Sequence, residues 1–171
     1  MIDDKRPARY QRIYTQLQGL IEGQSPNLIA AMATICAVLH HKLNHHFWTG
    51  FYLAAQQDEQ DTGADPILYV GPYQGPVACQ VLRDRGVCLH CVRTQRPVIV
   101  PDVEQFPGHI ACDSRSKSEI ALPVTRDGVV IAVLDVDSDR LAQFDEDDVP
   151  ALSQILSLLQ PYTSRQTGQN P

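Results

Sequence analysis

The pair Asp127-Gly128 lies between two apolar, β-forming runs, residues 119–125 and 129–135, and it is the strongest local constraint on the fold. A two-residue hairpin loop of this kind needs positive φ at both positions, which Asp and Gly tolerate. The pattern therefore predicts an antiparallel hairpin. Further strands are predicted at residues 47–53, 67–70, 77–82 and 97–100, where β-forming residues are bounded by polar or Gly/Pro-containing stretches.

Helical periodicity marks the region before the strands. Apolar residues between Tyr10 and Ile21 repeat on one face and predict a first helix. Ser25-Pro26 has the form of an N-cap followed by Pro at the first helical position, so a second helix is predicted to run from there towards His46. A short helix is also predicted at residues 87–95.

The N-cap of the last helix is predicted to be Asp147 or Asp148, because carboxylates favour the positive end of a helix and Pro150 is tolerated only in the first turn. Helices at both ends of a run of strands predict an α+β fold, with a central antiparallel sheet flanked by N- and C-terminal helices. The length of 171 residues fits one domain. We assign residues 1–162 to it and predict a disordered polar tail at 163–171, with a solvated loop at 55–66.

The net charge, the apolar runs and the cysteine count of the chain argue against several classes of function. A net charge of −6 without a cluster of Lys and Arg argues against binding to nucleic acid. The longest apolar run, residues 28–39, is shorter than the roughly 20 residues of a membrane span, and the first residues carry no apolar signal region, so we expect a cytoplasmic protein without membrane contact. Five cysteines, an odd number, disfavour a secreted disulfide framework. Cys36 lies in the apolar helix and is predicted to be core.

Three segments carry residue types that packing alone does not require. Trp48 and Tyr52 are four apart on a predicted strand, and Asp135 and Asp137 are two apart at the end of another, so each pair shares one face of its strand. Cys112 lies in an irregular stretch, residues 101–115, between His109 and a run of polar residues that leads to Glu119.

Together these segments resemble the free methionine-(R)-sulfoxide reductase family, a group of thiol enzymes built on a GAF domain. The matching stretches occur in order between Trp48 and Ser138 and read WTGFY, GPYQGPVAC, RGVC, GHIACDSRSKSEI and VLDVDS. The resemblance implies a single GAF-like domain that reduces free methionine sulfoxide, with no bound cofactor or metal and with electrons supplied by thioredoxin. It also implies a homodimer.

The same resemblance implies roles for the thiols. Cys112 corresponds to the nucleophile that attacks the sulfoxide sulfur and becomes a sulfenic acid. Cys79 or Cys88 corresponds to the resolving thiol that condenses with it to a disulfide, and Cys88 remains a second candidate nucleophile.

The substrate-binding residues are implied in the same way. Trp48 and Tyr52 correspond to the wall that receives the S-methyl group, and backbone amides around Ile110, Ala111 and Cys112 would face the substrate carboxylate. The remaining positions correspond to the carboxylates that hold the substrate ammonium and help to protonate the departing oxygen, namely Glu119, Asp135 and Asp137.

Elementary electrostatics agrees with that use of the carboxylates. Clustered acids disfavour one another's ionisation, so at least one pKa should be raised and a proton kept available near neutral pH. Which of the three is the acid is left open.

Three other interpretations remain. One is a GAF domain that binds a ligand without catalysis, and another is a thiol redox sensor. The third is a zinc site formed by Cys88, Cys91, His109 and Cys112, whose spacing suits a metal. For Cys91, which departs from the family pattern, we expect a buried position without a chemical role.

Overall fold

The computed structural model describes residues 6–55, 66–109 and 112–164 and confirms the predicted α+β fold. Its described residues form five α-helices and six β-strands, which are, in chain order, α1 Arg6–Ile21, α2 Leu28–Lys42, β1 Trp48–Ala54, β2 Leu68–Gln74, β3 Val81–Leu82, α3 Val87–Thr94, β4 Val98–Val100, β5 Ser118–Arg126, β6 Val129–Ser138, α4 Asp148–Leu156 and α5 Gln160–Thr163. Short 3₁₀ turns lie at Val103–Gln105 and Ser157–Leu159.

The described strands form one six-stranded antiparallel sheet in the order β3-β2-β1-β6-β5-β4. Its two central strands are β1 and β6, and β6 forms a hairpin with its other neighbour, β5. Asp127 and Gly128 connect these strands with φ values of 50° and 78°, as the sequence predicts for a tight hairpin loop. A register shift between Val124 and Thr125 follows the loop and changes the pairing along the rest of the hairpin.

The sheet has an apolar layer on each face. Helices α1, α2 and α4 cover one face and bury side chains such as Phe51 and Leu134. Helix α3 and the segments around it cover the other face, where Trp48, Tyr52 and Val133 are buried. Alternation along each strand separates the two sets, since successive residues point to opposite faces. Cys36 is fully buried under the first face, as predicted, and its thiol donates to the Pro72 carbonyl at 3.3 Å.

The ends of α2 differ from the prediction. The N-cap is Asn27 and not Ser25, because the Asn27 side chain accepts a hydrogen bond from the Ala30 amide at 2.9 Å. At the other end α2 stops at Lys42, since Leu43 is extended and His46 then turns back to donate its amide to the Leu43 carbonyl at 2.9 Å. The helix therefore ends four residues before His46.

Two strand predictions were also wrong in extent. Strand β2 continues through Gly71-Pro72, which we expected to end it, because these two residues lie opposite the single residue Phe51 of β1 in a bulge that accommodates the proline. Of residues 77–82 only Val81–Leu82 pair as a strand. Val77 is 81% exposed, so its β-branched side chain reflects a loop at the surface and not a buried strand.

Helix α4 begins at Asp148 with Asp147 as its N-cap, within the predicted pair. The buried Asp148 carboxylate accepts from the Tyr10 hydroxyl at 2.9 Å and from the Asp145 amide at 2.9 Å, which ties α4 to α1. Helix α5 ends at a buried Thr163, so the described fold reaches one residue into the predicted tail. Residues 165–171 and residues 56–65 of the predicted loop lie outside the described part of the chain. Over that described part, no helix has the length and apolarity to span a membrane.

Candidate active site

The central strands bring three carboxyl groups together on the sheet face that α3 covers. Asp137 of β6 is opposite both Trp48 of β1 and Glu119 of β5, and Asp135 is opposite Gly50 and Ala121. Residues directly opposite in an antiparallel pair share a face. All three carboxyl groups line one pocket.

Burial and mutual repulsion disfavour ionisation of this carboxyl cluster, defined as Glu119, Asp135 and Asp137. Burial raises the pKa of Asp135 to about 6, although hydrogen bonds from Glu119, Cys88 and the Val136 amide oppose the shift. Burial, followed by the charge of Asp135, raises the pKa of Glu119 and of Asp137 well above the usual range. A pKa of about 6 leaves Asp135 ionised at neutral pH, and the raised pKa values of Glu119 and Asp137 favour their protonated forms.

One oxygen of the anion has no partner. Asp135 is 6% exposed, and its Oδ1 is buried without a hydrogen bond from any described residue. A buried carboxylate oxygen without a partner is costly, and it attracts a cation or a donor that enters the pocket.

Aromatic rings form one wall of the pocket. The Trp48 ring stacks on Tyr52, with centroids 5.8 Å apart, and on Tyr73, with centroids 5.4 Å apart. Gly50 makes this stack possible, because a Cβ at that position would lie 2.8 Å from Trp48 Cζ3 and 2.5 Å from Tyr73 Cβ. The predicted shared face of Trp48 and Tyr52 is confirmed.

A disulfide between Cys79 and Cys112 lies at the same pocket, with the two Cα atoms 5.5 Å apart. Cys112 is exposed and Cys79 half-buried. The Tyr52 hydroxyl donates to the Cys79 carbonyl at 3.0 Å, so the aromatic wall also holds the backbone of one disulfide cysteine. The disulfide joins the segment before β3 to the segment before β5.

The two other thiols between Cys79 and Cys112, those of Cys88 and Cys91, are buried. Cys88, in the first turn of α3, donates to Asp135, and burial raises the pKa of Cys88 well above its usual range. Cys91 is fully buried on the same helix, as expected, and burial raises its pKa to about 12. A thiol that stays protonated is a poor nucleophile.

The arrangement does not assemble the zinc set that the sequence spacing suggested. Cys112 is bonded to Cys79 instead of facing Cys88 and Cys91. Among the described residues, the group whose potential ligand atoms lie within 4.8 Å of one another is a different one, formed by Cys88, Glu119 and Asp135.

Sequence reasoning missed Ser116, whose hydroxyl donates to the Asp137 carboxyl and opposes the rise in its pKa. Ser116 lies within the GHIACDSRSKSEI stretch, but the sequence does not distinguish it from the neighbouring serines of the same stretch.

His109 Nδ1 lies 3.9 Å from Glu119 Oε2, and burial lowers the pKa of this imidazole. Ile110 and Ala111, predicted to contribute backbone amides, lie outside the described residues.

The fold and this pocket define a GAF domain with a disulfide-bonded cysteine pair beside its pocket, and comparison with known proteins agrees on the fold. A family model described as GAF domain matches residues 27–160. The chain is 47% identical over 152 residues to GAF domain-containing protein A of Dictyostelium discoideum, covering 88% of this chain and 90% of that protein.

Two further relatives are more specific. The chain is 36% identical over 152 residues to the free methionine-R-sulfoxide reductase of Escherichia coli, covering 88% of this chain and 86% of that protein. The crystal structure of free methionine-R-sulfoxide reductase from Neisseria meningitidis in complex with its substrate superposes with a TM-score of 0.82 at 37% identity, covering 95% of this chain and 92% of that one. This chain belongs to the free methionine-(R)-sulfoxide reductase family of GAF domain proteins.

Proposed function

We propose that this protein reduces free L-methionine-(R)-sulfoxide to L-methionine, with Cys112 as nucleophile, Cys79 as resolving thiol and thioredoxin as electron donor. The observation that carries the proposal is the Cys79–Cys112 disulfide beside a pocket that contains the buried carboxyl cluster. The relatives named as free methionine-R-sulfoxide reductases support the substrate and the reaction.

The carboxyl cluster suits the ammonium group of a free amino acid. Asp135 offers a buried oxygen without a partner, and a cation beside it would favour ionisation of the neighbouring carboxyl groups. Binding of the ammonium should therefore release a proton from Glu119 or Asp137. A methionine sulfoxide within a peptide has no free ammonium at this position, and it would leave the cluster without its cation.

The reaction needs a proton at the sulfoxide oxygen. In the proposed first step the Cys112 thiolate attacks the sulfoxide sulfur, the oxygen takes a proton, and methionine leaves as oxygen is transferred to Cys112 Sγ as a sulfenic acid. Burial and the charge of Asp135 raise the pKa of Glu119 and of Asp137, which favours their protonated forms, so either can act as the general acid.

The second step regenerates the enzyme. The Cys79 thiol attacks Cys112 Sγ, the S–S bond forms, and the hydroxyl leaves as water. The two thiols of reduced thioredoxin then reduce this disulfide and become oxidised themselves. Cys88 is the less suitable resolving thiol, because it donates to Asp135 and burial raises its pKa, whereas Cys79 lies within bonding distance of Cys112.

Single-turnover chemistry tests these roles. With one equivalent of substrate, reduced wild-type protein should release one equivalent of methionine and acquire the 79–112 disulfide, found by peptide mass spectrometry. Cys79→Ala should still release one equivalent but retain a sulfenic acid on Cys112 that a dione reagent traps. Cys88→Ala, the matched control, should form the same disulfide as wild type. A trapped sulfenic acid on Cys88, or no release by any form, would overturn the assignment.

A further inference from the structure

The segment before α3 contains a tight turn with an unusual backbone. The Arg85 amide donates to the Arg83 carbonyl at 2.7 Å, and Asp84 between them has a φ of 68°. This is the γ-turn with positive φ, a rare and strained form, here at a residue that is not glycine. Strain of this kind persists where the surroundings hold it. Arg93 of α3 does so by donating from Nη2 to the Asp84 carbonyl at 2.8 Å.

The turn directs Arg85 against the loop that leads to Cys112. A Cβ built on Gly108 would lie 3.3 Å from Arg85 Cβ and 3.4 Å from Arg85 Cδ, so the arginine stem packs along the glycine backbone. Gly108 has a φ of 77°, which favours glycine at this position. Arg85 thus lines the pocket, with its backbone fixed by the turn and the stem of its side chain fixed by the contact with Gly108.

Arg85 differs in charge from the other residues that line the pocket. The carboxyl cluster provides for an ammonium group, but a free amino acid also carries an α-carboxylate. Among the described residues that line the pocket, Arg85 is the one with a permanent positive charge. His109 lines the pocket as well, but burial lowers its pKa and it is neutral at pH 7.

We propose that Arg85 binds the α-carboxylate of the substrate, in addition to the backbone amides that the family resemblance implies for this group, and so selects for a free carboxyl end. The inference rests on the proposed function, since it takes an amino acid as the ligand. The guanidinium offers two parallel N–H donors to a carboxylate, a geometry that a single backbone amide does not provide. Arg85 and the carboxyl cluster together would contact both charged groups that distinguish a free amino acid from a peptide residue.

Ligand binding tests the role of Arg85 without turnover. Trp48 is the single tryptophan of the chain and lines the pocket, so its fluorescence should report binding. The probes are L-methionine, which has the carboxylate, and L-methioninamide, which keeps the ammonium but lacks the carboxylate. Arg85→Gln should weaken methionine binding about tenfold, in the range for a hydrogen bond to a charged group, and leave methioninamide binding within about twofold.

Two more variants distinguish a direct contact between Arg85 and the ligand from a structural effect of its substitution. Arg83→Gln changes an exposed arginine of the same turn that does not line the pocket, and it should bind both probes as wild type does. Arg85→Lys keeps the charge and should recover part of the affinity for methionine. Equal weakening of both probes by Arg85→Gln, or no weakening of methionine binding, would overturn the inference.

Kinetics give a second readout. Arg85→Gln should raise KM for free methionine sulfoxide about tenfold with kcat less affected, because the contact is present both before and during the reaction. A fall in kcat at unchanged KM would contradict a role in binding. If the wild-type protein binds methionine with the expected dependence on Arg85 but does not reduce the sulfoxide, the proposed function fails and the inference about Arg85 stands.

Discussion

Asp135→Asn should make the protein more stable at alkaline pH while it removes the site for the substrate ammonium. The aspartate is 6% exposed, and it is the member of the carboxyl cluster that is ionised at neutral pH. Burial of that charge opposes folding, because the unfolded chain ionises the same group in water. Asparagine has nearly the same shape and carries no charge.

The size of the effect follows from the pKa of Asp135. A rise from 3.8 to about 6 corresponds to about 3 kcal/mol of folding free energy lost once both states are ionised. The folded state binds this proton more tightly, so stability is highest below pH 4 and falls as pH rises through 6. Replacing an acceptor oxygen by an amide costs about 1 kcal/mol in hydrogen bonding, which leaves a net gain of about 2 kcal/mol at pH 8.

Urea denaturation at pH 4, 6 and 8, with the disulfide intact, measures this gain. Asp135→Asn should be less stable than wild type by up to about 1 kcal/mol near pH 4, where only the hydrogen-bonding cost remains, and exceed it by about 2 kcal/mol at pH 8, equivalent to about 4–8 °C in Tm for a chain of this size. Asp139→Asn, an exposed change just beyond β6, should stay within about 0.5 kcal/mol at every pH. Lower stability of Asp135→Asn at pH 8, or the same difference from wild type at pH 4 and pH 8, would refute the reasoning.

Three other changes have expected outcomes. Gly50→Ala should displace the Trp48 ring, since the new Cβ would overlap it, and should raise KM with an altered tryptophan fluorescence spectrum; an unchanged spectrum and KM would remove Gly50 from the account. Ser116→Ala removes the donor to Asp137 and should raise the pKa of that carboxyl further, so methionine affinity should fall about tenfold at pH 7 and partly recover at pH 9, as calorimetry can measure. Cys91→Ala should leave kcat and KM unchanged in a steady-state assay, because the thiol is fully buried, and a large loss of turnover would show that it has a function.

The sequence predicts much of the sheet because its local signals are strong. Asp127-Gly128 defines the central hairpin, and the spacing of two between Asp135 and Asp137 requires a shared face. The inclusion of Glu119 in the cluster depends on the register of the β5–β6 hairpin, which the spacing of residues does not indicate. The register shift after Val124 places Glu119 opposite Asp137, whereas an unbroken ladder from the hairpin loop would place it opposite Val136.

Other parts of the site depend on contacts between distant segments. The pairing of Cys79 with Cys112 spans a sequence separation of 33, and the resemblance left Cys88 open as an alternative partner. Arg85 lies in the RGVC stretch, but that stretch alone does not indicate its role, because its position depends on the backbone of Asp84 and on the approach of Gly108. Such contacts follow from the folded chain and not from the spacing of residue types.

Release of methionine from free L-methionine-(R)-sulfoxide tests the central claim most directly. The purified protein should release methionine continuously with thioredoxin, its reductase and NADPH, and Cys112→Ser should release none although it still binds methionine. Turnover by Cys112→Ser at the wild-type rate would contradict the assignment of the nucleophile. No release by folded wild-type protein, with either thioredoxin or dithiothreitol, would contradict the proposed enzyme activity.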